Sequence, residues 1–383
     1  MNYHLFNAGM THLVPNIIKG ILKHAPMMHN DGTKEITICL WVPDNMLFGE
    51  KDTELNKYRS LFEELSFYNF KFIEGNLNML SMIFGINTHN DTLIIHSDFI
   101  LFNRYPLFLL LLASRGKRFL NRVVKIEWGV TIQQPNKSLT RKVKFFIQNY
   151  VYSHLKHVVT LSPEDKLITE IKYHKANVLH ANYLRPFISL LNNKPRNYSM
   201  EKALKILVSH SGHIHNNHFK SFELLSKFKG ENIEIMCPLC YGPEKYIEQV
   251  IVKGKEMFGN KFNYFTDLKP FDQYVALIAE HDVYVTSATI QTGLFAAFAS
   301  LSNGLKVYLG SNLLSFLNNV GYVVFDVNEI NQSNFMDFSK PLSDSAFFSN
   351  QELYLNQQND GGLINTWRKI YGTENLWLLG NRE

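Results

Sequence analysis

The chain is poor in cysteine. Its 383 residues hold three, Cys39, Cys237 and Cys240, too few for a disulfide framework, and a reducing compartment is the expectation. Cys237 and Cys240 form a C-P-L-C pair with no second pair to complete a zinc site, so two small residues closing a strand are preferred to metal or redox chemistry. Long apolar runs are also lacking. The longest, Pro106–Ala113 ("PLFLLLLA"), falls far short of the ~20 residues that cross a bilayer. The opening "MNYHLFNAGMTHLVP" has neither the basic start nor the apolar core of a signal peptide. These absences predict a cytoplasmic protein with no membrane span. Fixed-period repeats, low-complexity segments and a D-x-D metal motif are absent as well.

Acidic residues are scarce in one region. Residues 101–150 carry ten Lys and Arg against a single acid, Glu127, while the whole chain carries a net charge of +5. The excess lies in the first half, where residues 1–190 hold 22 basic and 15 acidic side chains. A basic face of this kind suits anionic lipid headgroups or a polyanionic substrate, and equally an ordinary solvated surface. With 45% hydrophobic and 19% charged residues the chain reads as globular, and its length suits two domains.

Both halves alternate short apolar strands with helical stretches. In the first, strands are predicted at Tyr3–Asn7, Ile36–Val42, Thr92–Phe99, Arg122–Gly129, Val158–Ser162 and Asn177–Leu184. A basic amphipathic helix over Thr140–His157 lies among them, and Ser162-Pro163 reads as a helix start. Asn192–Lys202 is polar and contains proline, as a linker would. Beyond it strands are predicted at Lys205–Ser209, Ile233–Met236, Phe262–Phe265, Val283–Thr286, Lys306–Leu309 and Val323–Asp326. This rhythm implies two doubly wound parallel sheets, with ligands outside the carboxyl ends of the strands. The expected domains are 1–190 and 203–383, with room for the C-terminal helices to pack back on the first.

"ILVSHSGHIHNNHF" (Ile206–Phe219) is the most distinctive stretch. Its four histidines, His210, His213, His215 and His218, suggest a metal site. They are spread over a strand end, a loop and a helix start, and no carboxylate accompanies them. The same stretch reads as strand, Ser211-Gly212 turn and helix start. Gly212 is expected to take positive φ and admit a ligand, and Asn216 or Asn217 to cap the helix. A helix N-terminus free of acids attracts phosphate. A second cradle follows Val283–Thr286: Thr292-Gly293 opens a helix that Asn303-Gly304 closes, and Ser287, Thr289, Gln291 and Thr292 can donate to a diphosphate. Tyr241, in the turn "CPLCYGP", either stacks on a base or packs the turn. In the first half, Glu127 is a candidate general base or a structural ion pair, and His96 a second candidate base or a buried hydrogen-bonded histidine.

Taken together, "ILVSHSGHIHNNHF", "PLCYGPEKY" and "IQTGLFAAFASLSNGLKVYL" resemble glycosyltransferase family 56. This is the TDP-N-acetylfucosamine:lipid II N-acetylfucosaminyltransferase group of enterobacterial surface-polysaccharide synthesis. The resemblance runs over about residues 203–326 and is thinner across "IIHSDF" and "EWGVT". It implies a GT-B fold, two Rossmann-like domains facing a cleft. It also implies donor contacts from Ser211, Gly212, Asn217 and His218, a nucleotide-side Tyr241, and a diphosphate helix at Gln291 and Gly293. His213, Thr289 and Thr292 complete the expected donor set. Thr131 and His213 stand where the family carries acids, which leaves Glu127 as the nearest substitute base and the sugar open. The implied activity is metal-independent transfer from a dTDP- or UDP-linked sugar, including an amino-deoxy sugar, to a lipid-linked or polysaccharide acceptor at an anionic membrane surface. No cofactor, metal or nucleic acid is expected. A nucleotide-sugar 2-epimerase of similar architecture and a non-catalytic polyanion binder are the alternatives.

Overall fold

The computed structural model describes residues 2–7, 14, 17–21, 36–42, 69–87, 91–96, 105–127, 139–181, 192, 194–197, 199, 201–290, 292–358 and 361–371. The chain divides into two compact units, Met1–Pro186 with Asp360–Glu383, and Phe187–Asn359.

The first unit holds seven parallel strands: β1 (Asn2–Asn7), β2 (Ile36–Val42), β3 (Asn69–Glu74), β4 (Thr92–His96), β5 (Val123–Glu127), β6 (His157–Thr160) and β7 (Val178–His180). Their order is β3-β2-β1-β4-β5-β6-β7. Every residue of β2, ITICLWV, is buried, as a strand covered on both faces requires. β3 was not legible in the sequence. It is an edge strand, and of NFKFIE only Ile73 is buried, so neither an apolar run nor an alternation marks it. The pleat sorts the side chains. Leu93, Ile95 and Val123 enter one core, whereas Ile94, Val124 and Ile126 pack with Trp367 and Ile370 of the Gly361–Tyr371 helix. That packing carries the end of the chain back to the first sheet. The Pro163–Lys172 helix starts as expected, with the Ser162 side chain accepting from Asp165 N at 3.1 Å.

The second unit holds β8 (Leu204–Val208), β9 (Ile233–Pro238), β10 (Phe262–Phe265), β11 (Val283–Thr286), β12 (Lys306–Leu309) and β13 (Phe325–Asp326), parallel and in the order β10-β9-β8-β11-β12-β13. The order reverses between β8 and β11, and the helices that follow these strands leave by opposite faces. Phe222 and Leu225 of the His218–Leu225 helix pack with Val208 and Val285. Residues 296–299 of the Leu294–Ser302 helix pack with Leu207 and Tyr284 on the other face. A crevice at this switch point is where doubly wound sheets bind ligands. Among the described residues no helix is long and apolar enough to cross a membrane.

Candidate active site: the strand-end loops of the second sheet

Ser209, the first residue after β8, sits at φ 60°, a left-handed conformation that costs a side-chain-bearing residue free energy. It is buried, and its hydroxyl lies 3.3 Å from the Thr286 hydroxyl at the end of β11. Strain and a polar pair thus meet at the switch point. The next turn is held by Asn216, whose Nδ2 donates to Ser211 O at 2.6 Å and to Ser211 Oγ at 2.9 Å. This corrects the capping expectation. Asn217 occupies the N-cap position at φ 51° without a side-chain cap, and Asn216 braces the loop instead. The Asn216 Oδ1 is buried and unpartnered among the described residues.

Gly212 also has a different task from the one expected. It is not a positive-φ residue. Its N–H donates to Tyr241 O at 2.8 Å, and a Cβ there would meet Ile247 Cγ1 at 2.3 Å. Gly242, at φ +142°, faces it, and a Cβ on Gly242 would lie 2.2 Å from Gly212 O. Glycine at these two positions lets the loops after β8 and β9 meet backbone to backbone.

The loop after β11 is tied to the same structure. Thr289 N donates to His215 O at 3.0 Å, and Ser287 N donates to Ser221 Oγ at 3.2 Å. Gly293 caps the Leu294–Ser302 helix at φ +70°, and a Cβ there would lie 2.4 Å from His210 Nδ1. His210 Nε2 is 3.2 Å from Thr292 Oγ1. Ser211, Gly212, His213, Asn217, Tyr241, Thr289, Thr292 and Gly293 therefore share one loop cluster; Gln291 lies outside the described residues. Neither helix has an acid in its first turn, so both N-termini keep their attraction for an anion.

The four histidines diverge. His210 lies against Gly293, and exposed His213 meets Tyr241 edge-on at 5.7 Å. His218 is fully buried between Tyr246 and Phe222, with its Nδ1 3.3 Å from Tyr246 Oη. Among the described residues no three His, Cys, Asp or Glu side chains converge as a metal site would need. Burial pushes the His218 pKa down to about 4, so its ring is neutral at pH 7, and partial desolvation with His215 nearby lowers that of His213. Burial pushes the Tyr241 phenol up to about 12 against a hydrogen bond to Ser211, so it remains protonated. Burial holds Cys240 up at about 11 and pushes Cys237 well above the usual thiol value, so neither is a reactive thiolate. Sequence reasoning missed Ser209, Ser221 and Tyr246, because their roles depend on partners from other elements.

In the first unit, Glu127 and His96 each end a strand, β5 and β4, but on opposite faces of the sheet. His96 shares the Ile94 face and stacks on Phe6 at 4.0 Å, with its Nε2 2.9 Å from His4 Nδ1. Burial, His4 and Lys125 push its pKa well below the usual histidine value. Glu127 shares the Val123 face. It accepts from the Tyr152 hydroxyl and lies 3.7 Å from Lys125 Nζ, all three groups being buried. Of the basic residues, Arg115 is engaged within the fold: its guanidinium donates to Phe84 O at 2.9 Å and Ile86 O at 2.8 Å and lies over Phe119.

Two parallel-sheet α/β units are the arrangement of a GT-B glycosyltransferase fold. Solved structures share it. Sucrose-phosphate synthase from Thermosynechococcus elongatus matches with a TM-score of 0.63 at 9% identity, covering 99% of each chain. Anabaena HepE, in complex with UDP and glucose, matches with a TM-score of 0.61 at 11% identity over 96% of this chain and 97% of that one. An α,α-trehalose-phosphate synthase (UDP-forming) from Burkholderia vietnamiensis gives 0.57 at 8% identity, over 99% and 100%. At such identities the likeness establishes the fold alone. The family follows from sequence: the model for 4-alpha-L-fucosyltransferase, glycosyl transferase group 56, matches residues 64–297, well over half the chain. The chain belongs to glycosyltransferase group 56, and it is a glycosyltransferase.

Proposed function

We propose that the protein transfers a sugar from a dTDP- or UDP-linked donor to a lipid-linked or polysaccharide acceptor, without a metal. The observation that carries the donor assignment is the meeting of the loops after β8, β9 and β11 at the switch point of the second sheet. Two acid-free helix N-termini approach that point from opposite faces. Together they supply N–H groups and aligned dipoles to a diphosphate, and they stabilise its charge as the glycosidic bond breaks. Ser211, Thr289 and Thr292 add hydroxyls. Fixed groups of this kind need no reorganisation as charge develops.

The acceptor hydroxyl must lose a proton. Glu127 is the first candidate, held by Lys125 and Tyr152 at the carboxyl end of its strand, and His96 the second. The same contacts would serve a purely structural carboxylate, and Glu127→Gln separates the two roles. The variant retains donor binding and loses transfer if Glu127 is the base. A panel of dTDP-, UDP- and GDP-sugars, assayed with and without EDTA, tests the rest. A strict divalent-cation requirement would remove the metal-free reading. Donor turnover with no acceptor present would instead favour a 2-epimerase.

A membrane-facing role for the first unit is part of the same proposal. Phe146 is 75% exposed on the Leu139–Tyr152 helix, with exposed Tyr150 one turn further on, and Lys117 and Arg118 are exposed on Gly116–Leu120. Aromatic and cationic side chains together suit an anionic interface. Sedimentation with phosphatidylglycerol vesicles, reversed by salt, is the expected result; no binding at low salt would remove it.

A further inference from the structure

We propose that the base of the donor's nucleoside diphosphate rests on a platform made by Phe271, Tyr274 and Phe295. This rests on the donor assignment above and extends it to residues outside the phosphate loops.

Phe295 is the second residue of the Leu294–Ser302 helix, which begins directly after Thr292 and Gly293. Phe271 opens the Phe271–Ala279 helix, which follows β10. The Phe271 and Phe295 rings meet at 5.0 Å and the Tyr274 and Phe295 rings at 6.3 Å. All three are partly exposed, whereas their neighbours Val275, Ile278 and Ala296 are buried in the core beneath. An aromatic cluster left partly in water beside an anion-suited helix start is a surface that a flat ring would cover.

The polar edge of the platform points the same way. The Tyr274 hydroxyl is buried and has no hydrogen-bond partner among the described residues. Tyr284, Tyr241 and Cys240 act on it electrostatically. A buried hydroxyl without a partner costs free energy, and a native protein keeps one where a ligand or water completes it. Tyr241, the sequence-based candidate for base stacking, is otherwise engaged: its hydroxyl bonds Ser211 and its ring meets His213 edge-on. Cys240 is tied down too, its thiol donating to Asp267 O at 3.2 Å. Stacking therefore falls to the Phe271–Phe295 pair, and reading of the base edge to Tyr274. A nucleobase has the matching form, a flat apolar face with carbonyl and N–H groups along its rim. The phosphates would extend from it toward Gly293.

The test is calorimetric titration of the full chain with dTDP, UDP, GDP and inorganic pyrophosphate. Phe271→Ala and Phe295→Ala should each weaken the preferred nucleotide by about 10- to 100-fold, the range for loss of one base-stacking aromatic, and leave pyrophosphate binding unchanged. Phe271→Leu and Phe295→Leu, which keep apolar volume, should still lose about fivefold through the missing ring. Tyr274→Phe should lose about three- to tenfold and narrow the preference among the three nucleotides. Wild-type nucleotide affinity in a folded Phe271→Leu/Phe295→Leu double variant would overturn the platform while leaving the donor site intact. Failure of the wild-type protein to bind any of the nucleotides would overturn the donor assignment itself.

Discussion

Gly293 and His210 form a contact whose strength can be worked out before it is measured. Gly293 sits at φ +70°, and an added Cβ would lie 2.4 Å from His210 Nδ1 and 2.8 Å from His210 Cε1. Gly293→Ala therefore incurs two costs. The left-handed backbone costs an alanine about 1 kcal/mol, and forcing the ring aside costs about 1–3 kcal/mol as overpacking. The expected loss is about 2–4 kcal/mol, together with loss of the contact between His210 and Thr292. His210→Ala removes the obstacle. In the double variant only the backbone term and the cost of the lost imidazole remain, so the pair should be less destabilised than the sum of the singles by about 1–3 kcal/mol. Urea denaturation followed by far-UV circular dichroism is the suitable assay. Additivity within about 0.5 kcal/mol would refute the reasoning, because it would mean that Gly293 is not confined by the histidine.

Three further outcomes are expected. His218 has a folded pKa of about 4 against 6.5 in the unfolded chain, so its contribution is complete above pH 6.5 and declines as pH falls toward 4. That decline amounts to about 3 kcal/mol across the window. His157, held near 4 chiefly by burial, acts with the same sign in the first unit. His218→Gln should flatten the fall in urea midpoint between pH 7.5 and 5, and an unchanged fall would contradict its assigned state. Lys125→Met should cost about 3–5 kcal/mol by removing the cation that lies 3.7 Å from the buried Glu127 carboxylate, whereas Lys125→Met/Glu127→Gln should recover most of that loss. Equal stability of the single and double variants would show that the pair is not ionic. Ser221→Ala removes the hydroxyl that lies 2.9 Å from Ser287 Oγ and accepts from Ser287 N, and should cost about 1–3 kcal/mol and weaken nucleotide binding. Unchanged denaturation and titration curves would show that this link does not position the loop after β11.

The sequence by itself determined the class of fold. Runs such as ITICLWV, and VYVT and KVYL in the second half, are buried along their whole length because a parallel sheet is covered on both faces, and that pattern is local. The positions of the two cradles were legible for the same reason, since a strand, a small-residue turn and a helix start are neighbours in the chain. β3 was not legible, because an edge strand needs only one buried side chain. The return of the Gly361–Tyr371 helix to the first sheet was left open by the sequence, because it depends on Trp367 and Ile370 meeting strands more than 200 residues earlier. Only the tertiary structure decided which residues at the site have which task. It gave Gly212 to backbone contact with Gly242, turned Asn216 from a cap into a brace, and buried His218 against Tyr246. It also placed Glu127 and His96 on opposite faces of one sheet, since that depends on the side to which each strand's pleat directs its last residue. Composition and spacing identify candidate groups, but burial, pairing and direction arise only when distant strands are set side by side.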